Sequence, residues 1–353
     1  MSDNNSQQSG EGGNGGGSPG NLSLAVIGGL TLASALTINL MFTGKLIKPS
    51  EMFYTAFRRR EEADYRNWKF SVFLGLIIAT SYYYLFVDAQ AFNPPEKFLG
   101  YLSIMGYGLA GVLIGFGSQL AGGCTSVFFC GLPKWGKRFI LEALLITLSA
   151  TSIANVTKNT KLPSILTTPS FTTIASEINL EVKNLAVFGG SICLAVYYIV
   201  FLAVKNRTHD LKGFFIHVLS GFLYGLGFIL TGMIKPSKVL GLLSFDSLDD
   251  FELIISIAVV VGMNFLTFYW IYHVDNLFKY PILGGPFELQ EWYKISTKNI
   301  LGCIIFGIGW GMCGICPGCA IMTCYLYLPH MALFLMSVFV GQEIAMKVER
   351  EIE

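Results

Sequence analysis

Two ten-residue stretches carry the residues best suited to chemistry. Gly115-Phe-Gly-Ser-Gln-Leu-Ala-Gly-Gly-Cys124 and Gly307-Ile-Gly-Trp-Gly-Met-Cys-Gly-Ile-Cys316 align without a gap at an offset of 192, with identities at Gly115/Gly307, Gly117/Gly309, Gly122/Gly314 and Cys124/Cys316. A thiol that ends a run of small residues in apolar sequence is a candidate reactive or ligand-contacting group: its thiolate is a nucleophile and the thiol itself a weak hydrogen-bond donor. Taken singly, each copy also reads as close helix packing around a buried, inert thiol. Repetition at constant spacing turns the reading toward a shared site. Thr125 and Ser126 directly follow the first thiol, where they are expected to cap a short helix whose backbone N–H groups face an anion.

Other reactive residue types say less. Cys313, Cys316, Cys319 and Cys324 are separated by two, two and four residues, close to an iron–sulfur run whose last gap is three and is followed by proline. No proline follows Cys324 and the segment continues from an apolar span, so neither a cluster nor a zinc site nor any other cofactor is expected. Cys193 and Cys303 read as packing. Glu142 is costly in lipid and is expected near the start of its helix, facing protein or water. Of the four histidines, His217 is the one placed to reach a cavity. Trp68, Trp270 and Trp310 are expected at membrane interfaces. Lys48 and Lys235 stand at corresponding helix ends, where each either draws an anion to a mouth or snorkels.

The elements that position these residues are membrane spans. Charged residues are 13% of the 353-residue chain, against roughly 25% in typical soluble domains. Hydrophobic residues reach 53% and the mean hydropathy is +0.56, more apolar side chain than a soluble protein of this length could bury. A formal net charge of +1, with its basic residues scattered in short clusters, excludes a nucleic-acid partner. Phosphate-loop, dinucleotide and Ser/His/Asp motifs are absent, and an enzyme is not expected. The first 20 residues form a polar Ser/Asn/Gln/Gly tail expected to be disordered, and they are neither a secretory signal nor an Arg-rich transit peptide.

A bilayer core of about 30 Å requires about 20 apolar residues. Nine stretches qualify: 22–43, 68–88, 98–120, 137–157, 185–204, 213–234, 253–273, 298–316 and 326–346. Thr125 to Trp135 and Pro317 to Cys324 are too short to cross and read as re-entrant segments, which membranes accept only where protein or a cavity shields the backbone. With the tail outside, 18 of the 24 Lys and Arg fall on inside loops, as the positive-inside rule asks.

A second duplication supports a two-fold plan. Thr43-Gly44 with Ile47-Lys48-Pro49-Ser50 echoes Thr231-Gly232 with Ile234-Lys235-Pro236-Ser237. The expected organisation is a first repeat over 21–157, a polar loop plus linking span over 158–212, and a second repeat over 213–353. An odd linking span inverts the repeats, so the two Gly/Cys segments enter from opposite faces. That is a common transporter plan, with the substrate site where the breaks meet. The fold class is therefore an all-α polytopic membrane protein in a lipid bilayer. Which membrane holds it, plasma or organellar, is left open, with the mitochondrial inner membrane among the candidates.

At these residues the chain resembles the YeeE/YedE sulfur-transport family. Gly123-Cys124-Thr125-Ser126 followed by Cys130-Gly131-Leu132 is similar to the family's Gly-Cys-Thr-Ser signature. Phe306-Gly-Ile-Gly-Trp-Gly311 running into Gly314-Ile-Cys-Pro-Gly318 is similar to the companion half, whose opening resembles Leu230 to Leu243. The resemblance covers about residues 22–346, as if two proteins often separate in bacteria were fused. It implies import of a small sulfur-containing anion, thiosulfate-like or persulfide-type, with essential thiols at Cys124 and Cys316. Cys130, Thr125, Ser126, Gly123 and Gly314 complete the implied binding set. The chain departs from the family in three ways. Val127-Phe128-Phe129 stands where Gly-His-Gly is common, Cys319 replaces the second proline of Cys-Pro-Gly-Pro, and the first span carries no cysteine. The apolar Val-Phe-Phe and the long Ser/Thr-rich connection from Lys158 to Lys183 motivate the alternative of a non-transporting scaffold or subunit of a membrane complex.

Overall fold

A computed structural model describes residues 19–57, 63–88, 92, 102–159, 180–204, 208–245, 251–273, 280–288 and 295–352. The polar tail through residue 18, the Arg58 to Glu62 stretch and most of the Lys158 to Lys183 connection lie outside the described residues. Within them the chain is helical and contains no strand. Helices α1 (Pro19–Thr43), α2 (Pro49–Phe57), α3 (Ala63–Phe86) and α4 (Ile104–Ala121) come first. A π-helical turn (Val127–Gly131) and a 3₁₀ turn (Leu132–Lys134) lead into α5 (Lys137–Asn159). Then follow α6 (Leu180–Val204), α7 (Thr208–Leu230), α8 (Pro236–Ser244), α9 (Phe251–His273), α10 (Thr297–Cys313), α11 (Pro317–Thr323) and α12 (His330–Ile352).

Eight segments among the described residues are long and apolar enough to cross a membrane; they lie on α1, α3, α4, α5, α7, α9, α10 continuing through α11, and α12. The protein is thus an integral multi-pass membrane protein. Helix α6 occupies the expected linking span, although its apolar stretch is the shorter Leu185–Tyr197. It packs on α3 and α7 and leaves most of its surface exposed, including Cys193, which therefore does not serve as core packing.

The helix ends follow local sequence. Ser103 opens α4 by accepting a hydrogen bond on its hydroxyl from Gly106 N–H, and Ser296 does the same for Lys298 at α10. Both helices stop at a glycine in the left-handed region, Gly122 at φ 71° and Gly314 at φ 66°. Such a residue satisfies the last carbonyls while turning the chain, and glycine has no Cβ to oppose it.

The repeat is visible in the packing. A Cβ on Gly117 would lie 2.7 Å from the Gly302 carbonyl oxygen and against Phe306, while one on Gly309 would lie 2.9 Å from the Ala110 carbonyl oxygen and 3.0 Å from Ile114 N. Residues 110 and 114 plus the offset of 192 are 302 and 306, so these are the same contact seen from each copy. Because residue number rises along α4 as it falls along α10, the equivalent helices run antiparallel. Helices α1 and α7 do likewise: Gly28 meets Thr231, Leu32 meets Gly227, and Asn39 Oδ1 bonds His217 Nδ1 at 2.7 Å. The mirrored pairs follow, with α3 on α7 as α9 is on α1, and α12 on α4 as α5 is on α10.

Two short helices, α2 and α8, were not among the expected elements. Each begins at a proline of the duplicated Ile-Lys-Pro-Ser string. Proline's missing N–H and fixed φ suit the first helical position, and nine residues of mixed polarity leave no long apolar run to mark them. Trp68 also departs from expectation. It is buried, 5.2 Å from the His217 ring, with Lys45 Nζ 5.1 Å from its centroid, so it is a packing residue and not part of an interfacial belt. His217 is correspondingly a buried partner of Asn39 and Trp68.

Close glycine contact gives a direct test. Gly117→Ala and Gly309→Ala should each lower unfolding stability in detergent, by about 1–3 kcal/mol for forced overpacking, read by tryptophan fluorescence melting. Gly123→Ala, with open space where the Cβ would go, should melt like the wild type.

Candidate functional site

After Gly122 and Gly314 the chain turns back into the protein interior instead of leaving it. Cys124, Thr125, Ser126, Val127, Phe129 and Cys130 are buried, as is every residue of α11. The turns bring the two thiols into one cluster. Cys124 Sγ donates to Ser126 Oγ at 3.4 Å and lies within electrostatic reach of Cys316. The Thr125 hydroxyl reaches the Cys316 sulfur from the other turn. Cys316 and Cys319 face each other at 3.4 Å, and Cys319 Sγ in turn donates to the Met233 carbonyl at 3.6 Å. Cys130 sits at the edge, its sulfur 4.0 Å from the Ile47 carbonyl.

The short helices complete the surround. The first turn of α2 presents backbone at Ser50 to Cys124. Its Ser50 hydroxyl donates to Ser118 Oγ at 2.9 Å, and Gln342 Nε2 donates to both hydroxyls at 3.3 Å, so three helices are locked by one buried polar knot. Tyr224, from the middle of α7, is almost fully buried within electrostatic reach of Cys124, Cys130, Cys316 and Cys319. Nothing in the sequence separates Tyr224 from the chain's other intramembrane aromatics, and it was not anticipated.

Thr125 and Ser126 do not cap a helix with their side chains. Ser126 precedes the π-helical turn with no side-chain cap bond, and Val127 and Phe128 N–H groups bond to the Cys124 and Thr125 carbonyls. The hydroxyls are left to the thiols and to two separate cavities. A polar cleft of about 40 Å³ is lined by Gly122, Gly123, Ser126, Cys130, Lys48, Lys134, Arg138 and Glu142, among others. An apolar cavity of about 270 Å³ is lined by Thr125, Phe128, Phe129, Trp310, Gly314 and Cys316, with aliphatic residues of α8 and α9. Adjacent residues 125 and 126 therefore line different spaces. The Val127-Phe128-Phe129 string has a definite place here, since Phe128 lies 6.2 Å from Trp310 and Phe129 6.1 Å from Phe228 in the cavity wall.

Of the sequence-derived residues, Gly123, Ser126 and Cys130 line the cleft, Thr125, Gly314 and Cys316 line the larger cavity, and Cys124 bonds Ser126 without lining either. Glu142 is resolved by its partner: Arg138 Nε donates to Glu142 Oε1 at 2.5 Å, and Arg138 Nη2 also holds the Ala121 carbonyl at the end of α4. Lys48 pairs with Glu51 at 3.3 Å while lining the cleft. Lys235 is half-buried, and desolvation together with the neighbouring Lys238 charge lowers its ammonium pKa below the ordinary value. Among the described residues no three Cys, His, Asp or Glu converge as a metal site needs. Cys313 turns instead to the Ile315 backbone.

Two curated relatives from Xylella fastidiosa strains, each described as a probable transporter, align with part of this chain. One is 30% identical over 133 residues, covering 38% of this chain and 89% of the relative. The other is 30% identical over 128 residues, covering 36% of this chain and 84% of the relative. The chain belongs to the family of these probable transporters. Residues 213–353 also match a family of unknown function, DUF6691. No solved structure matches the chain.

The Arg138–Glu142 pair is buried, with side-chain exposures of 9% and 10%. Removing one partner leaves an uncompensated charge. Arg138→Gln should cost about 3–5 kcal/mol, and the double variant Arg138→Gln, Glu142→Gln should recover most of it. Equilibrium unfolding of the four proteins in a double-mutant cycle checks this.

Proposed function

We propose that the chain passes a small sulfur-containing anion, thiosulfate-like or persulfide-type, through the cysteine cluster between the two cavities. The single observation that carries this reading is the placement of Thr125 and Ser126. Neighbours in sequence, they line two different spaces, with Cys124 Sγ bonded to the Ser126 hydroxyl and the Cys316 sulfur within reach of the Thr125 hydroxyl. The cleft supplies Lys134 together with Lys48 and Arg138, whose charges are shared with Glu51 and Glu142, and this local positive field raises the concentration of an anion and offsets the loss of its water. From there the anion meets Ser126, Cys124 and Cys130, then Thr125 and Cys316. Hydroxyl and thiol donors replace hydration step by step without binding tightly enough to trap the solute, which is the general condition for conduction. The resemblance to the sulfur-transport family supplies the substrate class, and the kinship with probable transporters supplies the kind of activity.

Sulfur rather than oxygen at the narrowest point suits a polarizable substrate. A thiol is a weak donor that holds a soft sulfur anion loosely. Serine would be a stronger donor and a harder partner. Uptake of radiolabelled thiosulfate into proteoliposomes tests the reading. Loss of one hydrogen bond to a charged solute is worth about 1.5–3 kcal/mol, so Cys124→Ala and Cys316→Ala, which remove the donor, should each slow initial uptake by about tenfold or more. Lys48→Gln should raise the half-saturating concentration with a smaller effect on maximal rate. Undiminished uptake by both cysteine variants would remove the thiols from the pathway.

A further inference from the structure

Cys319 has no role in the pathway above, yet it is the closest sulfur to Cys316. The two Sγ atoms lie 3.4 Å apart, and a disulfide requires about 2.05 Å. Their spacing in Cys316-Pro317-Gly318-Cys319 keeps both side chains on one side of a single turn. The two thiols also differ in access. Cys316 forms part of the wall of the 270 Å³ cavity, whereas Cys319 is absent from that wall, buried behind Cys316 and bonded to the Met233 carbonyl. The cavity has no charged side chain in its lining. One thiol facing a chamber with a second in contact behind it is the arrangement that thiol–disulfide exchange needs: an attacking sulfur and a resolving sulfur.

We propose that Cys316 and Cys319 form a redox-active dithiol that reduces a small, uncharged, sulfur–sulfur-bonded compound entering the apolar cavity. Cys316, as thiolate, attacks one sulfur of R–S–S–R′, forming Cys316–S–S–R and expelling R′–S⁻, which takes up the proton Cys316 released. Cys319 Sγ then attacks Cys316 Sγ. The Cys316–Cys319 bond closes, R–S⁻ leaves, and the Cys319 proton goes to it. The dithiol loses two electrons and the compound gains them as two thiols. The compound is either an organic disulfide or the neutral, fully protonated form of a hydropolysulfide, which share the same reactive bond. A dithiol reductant reverses the closure. In the oxidised state Cys316 no longer presents a thiol to the cavity, so the step also sets whether that side of the barrier has its donor. The chemistry itself requires no transport, and its failure leaves the pathway reading standing.

The test is a thiol map of the full chain in detergent, reduced, freed of reductant and exposed either to bis(2-hydroxyethyl) disulfide or to inorganic disulfide. Digestion with mass spectrometry should find the peptide holding both cysteines lighter by two hydrogens in at least one arm, with the mass restored by dithiothreitol. The faster arm identifies the source of the sulfur–sulfur bond. In Cys319→Ser the reaction should stop at the first step, leaving a hydroxyethanethiol adduct or a persulfide on Cys316. In Cys316→Ser, Cys319 should stay unmodified. Three results would each overturn the proposal: no closure in either arm of the wild type, pairing of Cys316 with Cys124 or Cys313 instead, or labelling of Cys319 in Cys316→Ser as fast as Cys316 is labelled in the wild type.

Discussion

The register between α4 and α10 is the constraint on which the rest depends. Backbone meets backbone where Gly117 packs on Gly302 and Gly309 on Ala110, and only glycine allows that approach. With α4 ending beside Gly302, its C-terminus and that of α10 are separated along the axis by residues 302 to 313, about 16 Å at 1.5 Å per residue. Each following turn then has to cover only half of that to bring its thiol to the other. A shift of one helical turn between α4 and α10 would move the two thiols apart or past each other. The buried knot of Ser50, Ser118 and Gln342 and the Arg138 contacts to Glu142 and Ala121 hold the same register from the flanks.

Two-fold packing does not produce a two-fold site. The backbone contacts repeat at an offset of 192, but the side chains around the thiols have diverged. The small cleft carries Lys48, Lys134, Arg138 and Glu142, and the larger cavity carries Phe128, Phe129, Trp310 and the aliphatic face of α8 and α9. Charge is focused on one side, where low-dielectric walls strengthen it, and the opposite chamber offers dispersion and a few hydroxyls. An anion and an uncharged sulfur compound therefore each find one favourable side. The two proposals draw on the two halves of this asymmetry, conduction of an anion on the charged side and exchange with a neutral disulfide on the apolar one.

Much of this was legible in the residues. The long apolar runs became helices within a few residues of their expected limits, because membrane length sets a strong filter on sequence. Antiparallel equivalent helices followed from an odd number of linking spans, and the Gly/Cys repeats did end in turns back into the interior. The short helices α2 and α8 were hidden, since nine residues beginning at proline resemble any polar connection. Trp68 was misread because an aromatic at the end of an apolar run suits either an interface or a core, and only its His217 neighbour decides. In the sequence Arg138 is one basic residue among many on inside loops, and only the fold sets Glu142 against it.

Composition, spacing and repetition thus determined that the chain is a multi-pass helical membrane protein with two related Gly/Cys segments, because each of these depends on local properties that a sequence carries residue by residue. Tertiary structure alone decided which groups meet. Tyr224 lies among the thiols, Thr125 and Ser126 line different spaces, and Cys319 stands behind Cys316 and out of the cavity wall. Those relations join residues up to 192 positions apart, through turns whose direction is set by glycine backbone and whose reach is set by helix register, and no local pattern encodes either.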